Sequence, residues 1–193
     1  MTDVVSLLQP HIRGLEIYQG VDPMEVLAQK AGIPPHKIIK LNGNENPYGP
    51  SPGVMAALGS YKLYNLYPDP EQRQLRNALS EYLGVEPECI VAGNGSDEII
   101  DLILRMFLGL GDVTIDHTPT FGMYSGCTRI CGGDVEAVPR NESFEIDLEA
   151  TRPALGSRTK VIFLASPNNP TGNVAPEWQV RQLLATGTLV VVD

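Results

Sequence analysis

Apolar residues follow two different periods along this chain, and the change between them divides it. Up to residue 84 the sustained patterns are helical. "DPMEVLAQKAG" (22–32) closes on a glycine, and beyond Pro70 the residues Leu75, Leu79, Tyr82 and Leu83 share one helix face with Gly84 as the stop. A short amphipathic stretch with Val4, Leu7 and Leu8 lies ahead of these, and residues 39–70 are so rich in Gly and Pro that only 52–59 can be helical. Past residue 84, short apolar runs alternate with helical patterns. The runs are "CIVAG" (89–93), "DVTIDH" (112–117), "DVEAVPR" (134–140), "KVIFLAS" (160–166) and "TLVVVD" (188–193). Between them fall "SDEIIDLILRMFLG" (96–109), with Ser96 as the expected N-cap, and "PTFGMYSGCTRICGG" (119–133), starting at its proline. "DLEATRPALG" (147–156) and "APEWQVRQLLATG" (175–187) complete the helical set. Five strands alternating with helices predict βαβ units, hence an α/β fold: a mostly parallel sheet covered on both faces, in three layers. The expected organisation is an N-terminal arm (1–40), a loop-rich segment and helix (41–84), and the α/β domain (85–193).

Composition narrows the function classes. The chain has 193 residues, of which 42% are hydrophobic and 19% charged, as in an ordinary globular domain. Its formal net charge is −9, and its five lysines and nine arginines form no basic run, which argues against a nucleic-acid binder. No apolar run approaches the roughly twenty residues of a membrane span. Three cysteines, an odd count without framework spacing, point to reduced thiols and the cytoplasm. Cys127 and Cys131 are one helical turn apart with His117 nearby, but a zinc site needs further ligands at suitable spacing. Small buried apolar residues are the better reading of the pair.

Three strand ends carry candidate chemistry. "GNGSDE" (93–98) joins a strand to a helix start, where glycines allow a tight turn and the amides of Ser96 and Asp97 are free at the positive end of the helix dipole. Such a nest suits a phosphate, although many strand–Gly–helix turns bind nothing and the acids here would repel an anion unless they turn away. The dinucleotide G-x-G-x-x-G spacing is not met, because the third glycine is missing: Glu98 stands at its position and Ile99 follows. "SPNNPTGN" (166–173) is a constrained loop at the sheet's carboxyl edge with amide donors between two prolines, or else simply a turn made of turn-formers. Asp193 closes an all-apolar strand, and a carboxylate there is costly unless it meets a donor or a cation. A phosphate nest, an amide donor and a buried acid suit a ligand with a phosphate at one end and a protonatable ring nitrogen at the other. Pyridoxal 5′-phosphate is such a ligand: an aspartate favours its protonated ring, which draws electrons from the carbanion left by loss of an amino acid's α-proton.

With "LNGNENPYGPSP", "YPDPE", "GNGSDEIIDL", "PTFGMY", "SPNNPTG" and "VVVD" in this order, the chain resembles the histidinol-phosphate aminotransferases, fold-type I pyridoxal-phosphate enzymes. "SPNNPTG" alone marks class I/II aminotransferases in general; "NENPYGPSP", "YPDP" and "PTFGMY" narrow the likeness to the histidinol-phosphate branch. The resemblance implies that Ser96 and Asp97 contact the cofactor phosphate and that Phe121 stacks on the pyridine ring, where many relatives carry Tyr. It implies that Asn169 donates to the ring's 3′-oxygen and that Asp193 pairs with the ring nitrogen. Tyr67 would reach the phosphate in a neighbouring subunit, making a homodimer part of the function, while Tyr18 and Asn44 would close over substrate.

The implied reaction passes an amino group between glutamate and imidazole-acetol phosphate, giving histidinol phosphate and 2-oxoglutarate in histidine biosynthesis. Another class I/II aminotransferase, a relative of threonine-phosphate decarboxylase and a non-enzymatic remnant are the alternatives. In the family the Schiff-base lysine follows the final Asp by some thirty residues. The resemblance therefore implies a large domain that is incomplete at Asp193, no catalytic residue within the chain, and no activity for these 193 residues alone. The last lysine, Lys160, precedes its strand and is expected at the sheet edge opposite the Asn loop.

Overall fold

The computed structural model describes residues 3–16 and 20–193. In chain order the helices are α1 (Met24–Ala31), α2 (Pro52–Ser60), α3 (Arg73–Leu83), α4 (Gly95–Phe107), α5 (Met123–Ile130), α6 (Leu148–Thr151) and α7 (Glu177–Leu184). The strands are β1 (Val113–Thr118), β2 (Asp134–Pro139), β3 (Thr159–Leu164) and β4 (Leu189–Val192). Contacts divide the chain into two compact units, Ile17–Ile90 and Met1–Glu16 together with Val91–Asp193.

The first of these holds three short helices with stops and starts that the sequence writes plainly. Gly32 and Gly84 end α1 and α3 in the left-handed conformation, at φ 66° and 68°, where a Cβ is penalised. Ser51 caps α2 by accepting from the Val54 N–H, with Pro52 in the first turn. Arg76 donates from Nε and Nη2 to the Pro87 carbonyl at 2.8 and 2.6 Å, tying α3 to the 3-10 turn at Pro87–Cys89.

The second unit is built on a four-stranded sheet in the order β2-β1-β3-β4, with every pairing parallel. β3 shows why it is covered on both sides. Val161, Phe163 and Ala165 pack with Ile100 and Leu104 of α4 and Tyr124 and Cys127 of α5, while Ile162 and Leu164 pack with Ile115, Val138, Ile146 and Leu183 of α7 on the other face. The layers are helix, sheet, helix, as the alternation predicts. Cys127 is buried among apolar neighbours and Cys131 packs at their margin.

Three local expectations fail. Residues 89–93 form no strand: Ile90 is extended (φ −113°, ψ 127°), but the segment pairs with none of the four strands, and a strand exists only through its ladder. The N-cap of α4 is Asn94 and not Ser96, because the Glu98 carboxylate folds back to accept from the Asn94 N–H and Nδ2, drawing the helix start two residues earlier. α5 begins at Met123 and not at Pro119, since the 119–120 segment is engaged elsewhere. The Pro119 carbonyl accepts from Asn168 Nδ2 at 3.1 Å, and Thr120 Oγ1 donates to Asn168 Oδ1 at 3.0 Å.

Candidate functional site

The strand order creates a crevice before any side chain is considered. From β1 the chain crosses to β2 on one flank, and from β3 it crosses to β4 on the other, so the loops leaving the carboxyl ends of adjacent β1 and β3 diverge. In open α/β sheets ligands bind at such a switch point. A cavity of about 310 Å³ opens there, lined by Phe121 and Tyr124 after β1, by Ala165, Ser166, Pro167 and Asn169 after β3, and by Asp193 after β4.

Asp193 continues the β3–β4 pairing by one step: its N–H donates to the Leu164 carbonyl at 2.9 Å, and its carbonyl accepts from the Ser166 N–H at 2.8 Å. Its side chain is not buried as the apolar run before it suggests, but stands exposed at the cavity. The donor it requires is a phenol: Tyr124 Oη donates to Asp193 Oδ2 at 2.6 Å. Tyr124 is fully buried, stacked on Phe163 with ring centroids 4.8 Å apart and planes 2° from parallel, and edge-on to Phe121 at 5.5 Å. Burial, then the bond to Asp193, holds the Tyr124 phenol well above the usual range, so it remains a donor.

Asn169 is held by its neighbour. Asn168 is 3% exposed, and every polar atom of its side chain is used. Oδ1 accepts from Thr120 Oγ1 and from Arg140 Nη2 at 2.8 Å, while Nδ2 donates to the Pro119 carbonyl and to Thr171 Oγ1 at 2.8 Å. Arg140 Nε also donates to the His117 carbonyl at 2.9 Å. The loops after β1, β2 and β3 are thus joined at one amide, which leaves exposed Asn169 beside Phe121 and Asp193.

Deeper in the sheet, Asp116 is 2% exposed with Oδ1 unpartnered among the described residues, and burial pushes its carboxyl up to about 7 against the pull of Arg129. The adjacent His117 bonds through Nε2 to Thr151 Oγ1 at 2.9 Å, and burial pushes it down to about 4.

Phe121, Asn169 and Asp193 are therefore brought together. Ser96 and Asp97 lie exposed in the first turn of α4 and do not line this cavity; Glu98, held at Asn94, is the first-turn acid that turns back on the loop. Asn44 and Tyr67 belong to the unit Ile17–Ile90. There Asn44 lines a cavity of about 760 Å³ with Lys40 and Glu45, an ion pair at 2.7 Å, and Tyr67 is completely exposed. Tyr18 lies outside the described residues. Lys160 stands at the start of β3, its Nζ 3.9 Å from Asp112, at the end away from the Asn loop. Sequence reasoning gave Tyr124 and Arg140 no role and took Asn168 only as one of two amide donors at the rim. Tyr124 carried one usable signal, its place three residues after Phe121 in "PTFGMY"; Arg140 carried none, because its side-chain partners are a carbonyl inside β1, one in the turn after β2 and the Asn168 amide after β3.

The family model for aminotransferase class I and II matches residues 36–193. The chain is 45% identical to histidinol-phosphate aminotransferase of Roseiflexus castenholzii over 98% of its own length and 53% of the relative's. It is 44% identical to the chloroplastic histidinol-phosphate aminotransferase of Nicotiana tabacum over 97% of the chain and 46% of that protein. Among solved structures, histidinol-phosphate aminotransferase from Sinorhizobium meliloti in complex with pyridoxal-5′-phosphate superposes with a TM-score of 0.81 at 28% identity, covering 97% of this chain and 50% of that one. Aspartate aminotransferase from Thermotoga maritima shares the fold with a TM-score of 0.77 at 23% identity, over 96% of this chain and 53% of the other. The chain spans about half the length of the curated relatives it matches. With the family's match running from residue 36 through the crevice residues to Asp193, the chain belongs to the aminotransferase class I and II family.

Proposed function

We propose that the full-length protein is a pyridoxal-phosphate-dependent transaminase of the histidinol-phosphate branch, exchanging an amino group between glutamate and imidazole-acetol phosphate. The observation that carries this reading is the Asp193 carboxylate, anchored by Tyr124 and facing the same crevice as the Phe121 ring and the Asn169 amide. That donor set fits the cofactor: an aromatic ring for its face, an amide for its ring oxygen and a carboxylate for its protonated nitrogen. When bound, the cofactor supplies an electron sink for charge developing at the substrate's α-carbon. Asp193 holds the proton on the ring nitrogen, Asn169 orients the ring edge, and Phe121 covers one face and excludes water. Ser96 and Asp97, with the free amides at the start of α4, take the phosphate end. Tyr67 extends to the phosphate of a neighbouring subunit in a homodimer, and Tyr18 and Asn44 contact substrate. The relatives named above favour the histidinol-phosphate branch. No described helix is long and apolar enough to cross a membrane, and the reduced cysteines suit the cytoplasm.

The test is a substrate comparison on purified full-length protein: histidinol phosphate against aromatic amino acids, each with 2-oxoglutarate. Preference for histidinol phosphate is expected. Preference for an aromatic amino acid removes the branch and keeps the class, and no transamination of any donor removes the reading.

A further inference from the structure

We propose that Tyr124 is a positioning residue that fixes the Asp193 carboxylate for the ring nitrogen, an inference that rests on the cofactor reading above. Its ring has no freedom of its own. It lies flat on Phe163 beneath it and meets Phe121 edge-on, so the sheet and the start of α5 together dictate where its hydroxyl stands. The hydroxyl donates to one acceptor, Asp193 Oδ2, at 2.6 Å. Packing alone does not call for that oxygen: a phenylalanine would fill the same space, and a buried hydroxyl is costly without a partner. The aspartate gains what its backbone cannot give it. Two main-chain hydrogen bonds fix its Cα but leave its side chain exposed and free to rotate. With Oδ2 held by the phenol, the carboxylate plane is set and Oδ1 is left to meet the ligand.

This role predicts an effect confined to ligands that carry the ring nitrogen. Binding of pyridoxal 5′-phosphate and of its 1-deaza analogue, in which a C–H replaces that nitrogen, is measured on full-length wild type and on Tyr124→Phe, with thermal melting of each. In the wild type the nitrogen-bearing cofactor binds about tenfold tighter than the analogue, the size expected for one hydrogen bond to a charged group. In Tyr124→Phe the preference falls to about threefold or less, while affinity for the analogue stays within about twofold and the protein melts as a folded species. Adding Tyr124→Phe to Asp193→Asn changes the preference no further. An unchanged preference in Tyr124→Phe overturns the inference and leaves the cofactor reading standing. Loss of both ligands equally, or loss of the fold, shows the hydroxyl to be structural and also overturns it. A wild type that binds neither compound overturns the cofactor reading, and the inference with it.

Discussion

Asp116 and His117 are consecutive on β1, are buried on opposite faces of the sheet, and have their protonation pushed in opposite directions by the same cause. Asp116 faces the α5 layer and is raised from 3.8 to about 7; His117 faces Thr151 at the end of α6 and is lowered from 6.5 to about 4. Both shifts favour the uncharged form, as desolvation requires.

Their effects on stability oppose each other. A raised carboxyl adds stability that is complete below the unfolded-state value near 3.8 and is lost as pH climbs through about 7. A lowered imidazole adds stability that is complete above 6.5 and is lost as pH falls through about 4. Between these limits the two slopes cancel in part. Asp116→Asn removes the first and leaves the second, so its stability relative to wild type should rise from pH 4 to pH 7. By neutral pH the gain should be on the order of a few kcal/mol. Urea midpoints of both proteins at pH 4.5 and 7.5 check it; a constant difference between them would mean that Asp116 does not titrate with folding.

What was legible in the sequence is what repeats. The alternation of "KVIFLAS" and "TLVVVD" with helical stretches gave the parallel sheet, because period and length are properties of single segments. The failure at "CIVAG" has the converse cause: apolar composition makes a segment able to be a strand, and only a neighbour makes it one. At the site, Phe121, Asn169 and Asp193 stood out through their motifs, each at the end of its own strand. Tyr124 and Asn168 did not, because their importance lies in what reaches them from elsewhere. Tyr124 meets a residue 69 positions on, and Asn168 meets partners 48, 49 and 28 positions back.

Asn168 and Asn169 are adjacent and should behave differently. Asn168→Ala leaves Arg140 Nη2 and Thr120 Oγ1 without their acceptor and frees the Pro119 carbonyl. Several buried bonds and the tie between three loops are lost together, at about 2–4 kcal/mol. Asn169→Ala removes an exposed amide and should cost within about 0.5 kcal/mol. Cofactor affinity should fall in both, through a displaced loop in the first and a missing contact in the second. Denaturant unfolding separates them, and equal destabilisation would contradict the assigned division of labour.

Glu98 closes the turn before α4. Its carboxylate accepts from the Asn94 main chain and side chain, satisfying a donor that the helix start leaves open. Glu98→Ala should destabilise by about 1 kcal/mol, in the range of a lost N-terminal cap, whereas Glu98→Gln keeps an acceptor oxygen and should lose less than half of that. Melting temperatures of the two variants give the comparison. A glutamine variant as unstable as the alanine one would show that charge, and not the acceptor, holds the turn.

Asp193→Asn tests the centre of the functional reading. The amide is the same size and retains an oxygen that accepts from Tyr124, so the β3–β4 end and the cavity should keep their form. It carries no charge, and a protonated ring nitrogen then has no anion to stabilise it. In full-length protein, turnover should fall by about two to three decades, the equivalent of a few kcal/mol for one lost charge partner. Cofactor content should fall far less, because in the proposed arrangement the phosphate end is held separately, at the start of α4. Turnover and bound pyridoxal phosphate, measured on the same preparation, make the test. Near-normal turnover would mean that the carboxylate at the end of β4 serves the fold and not the reaction. A loss of cofactor as deep as the loss of rate would place its main role in binding.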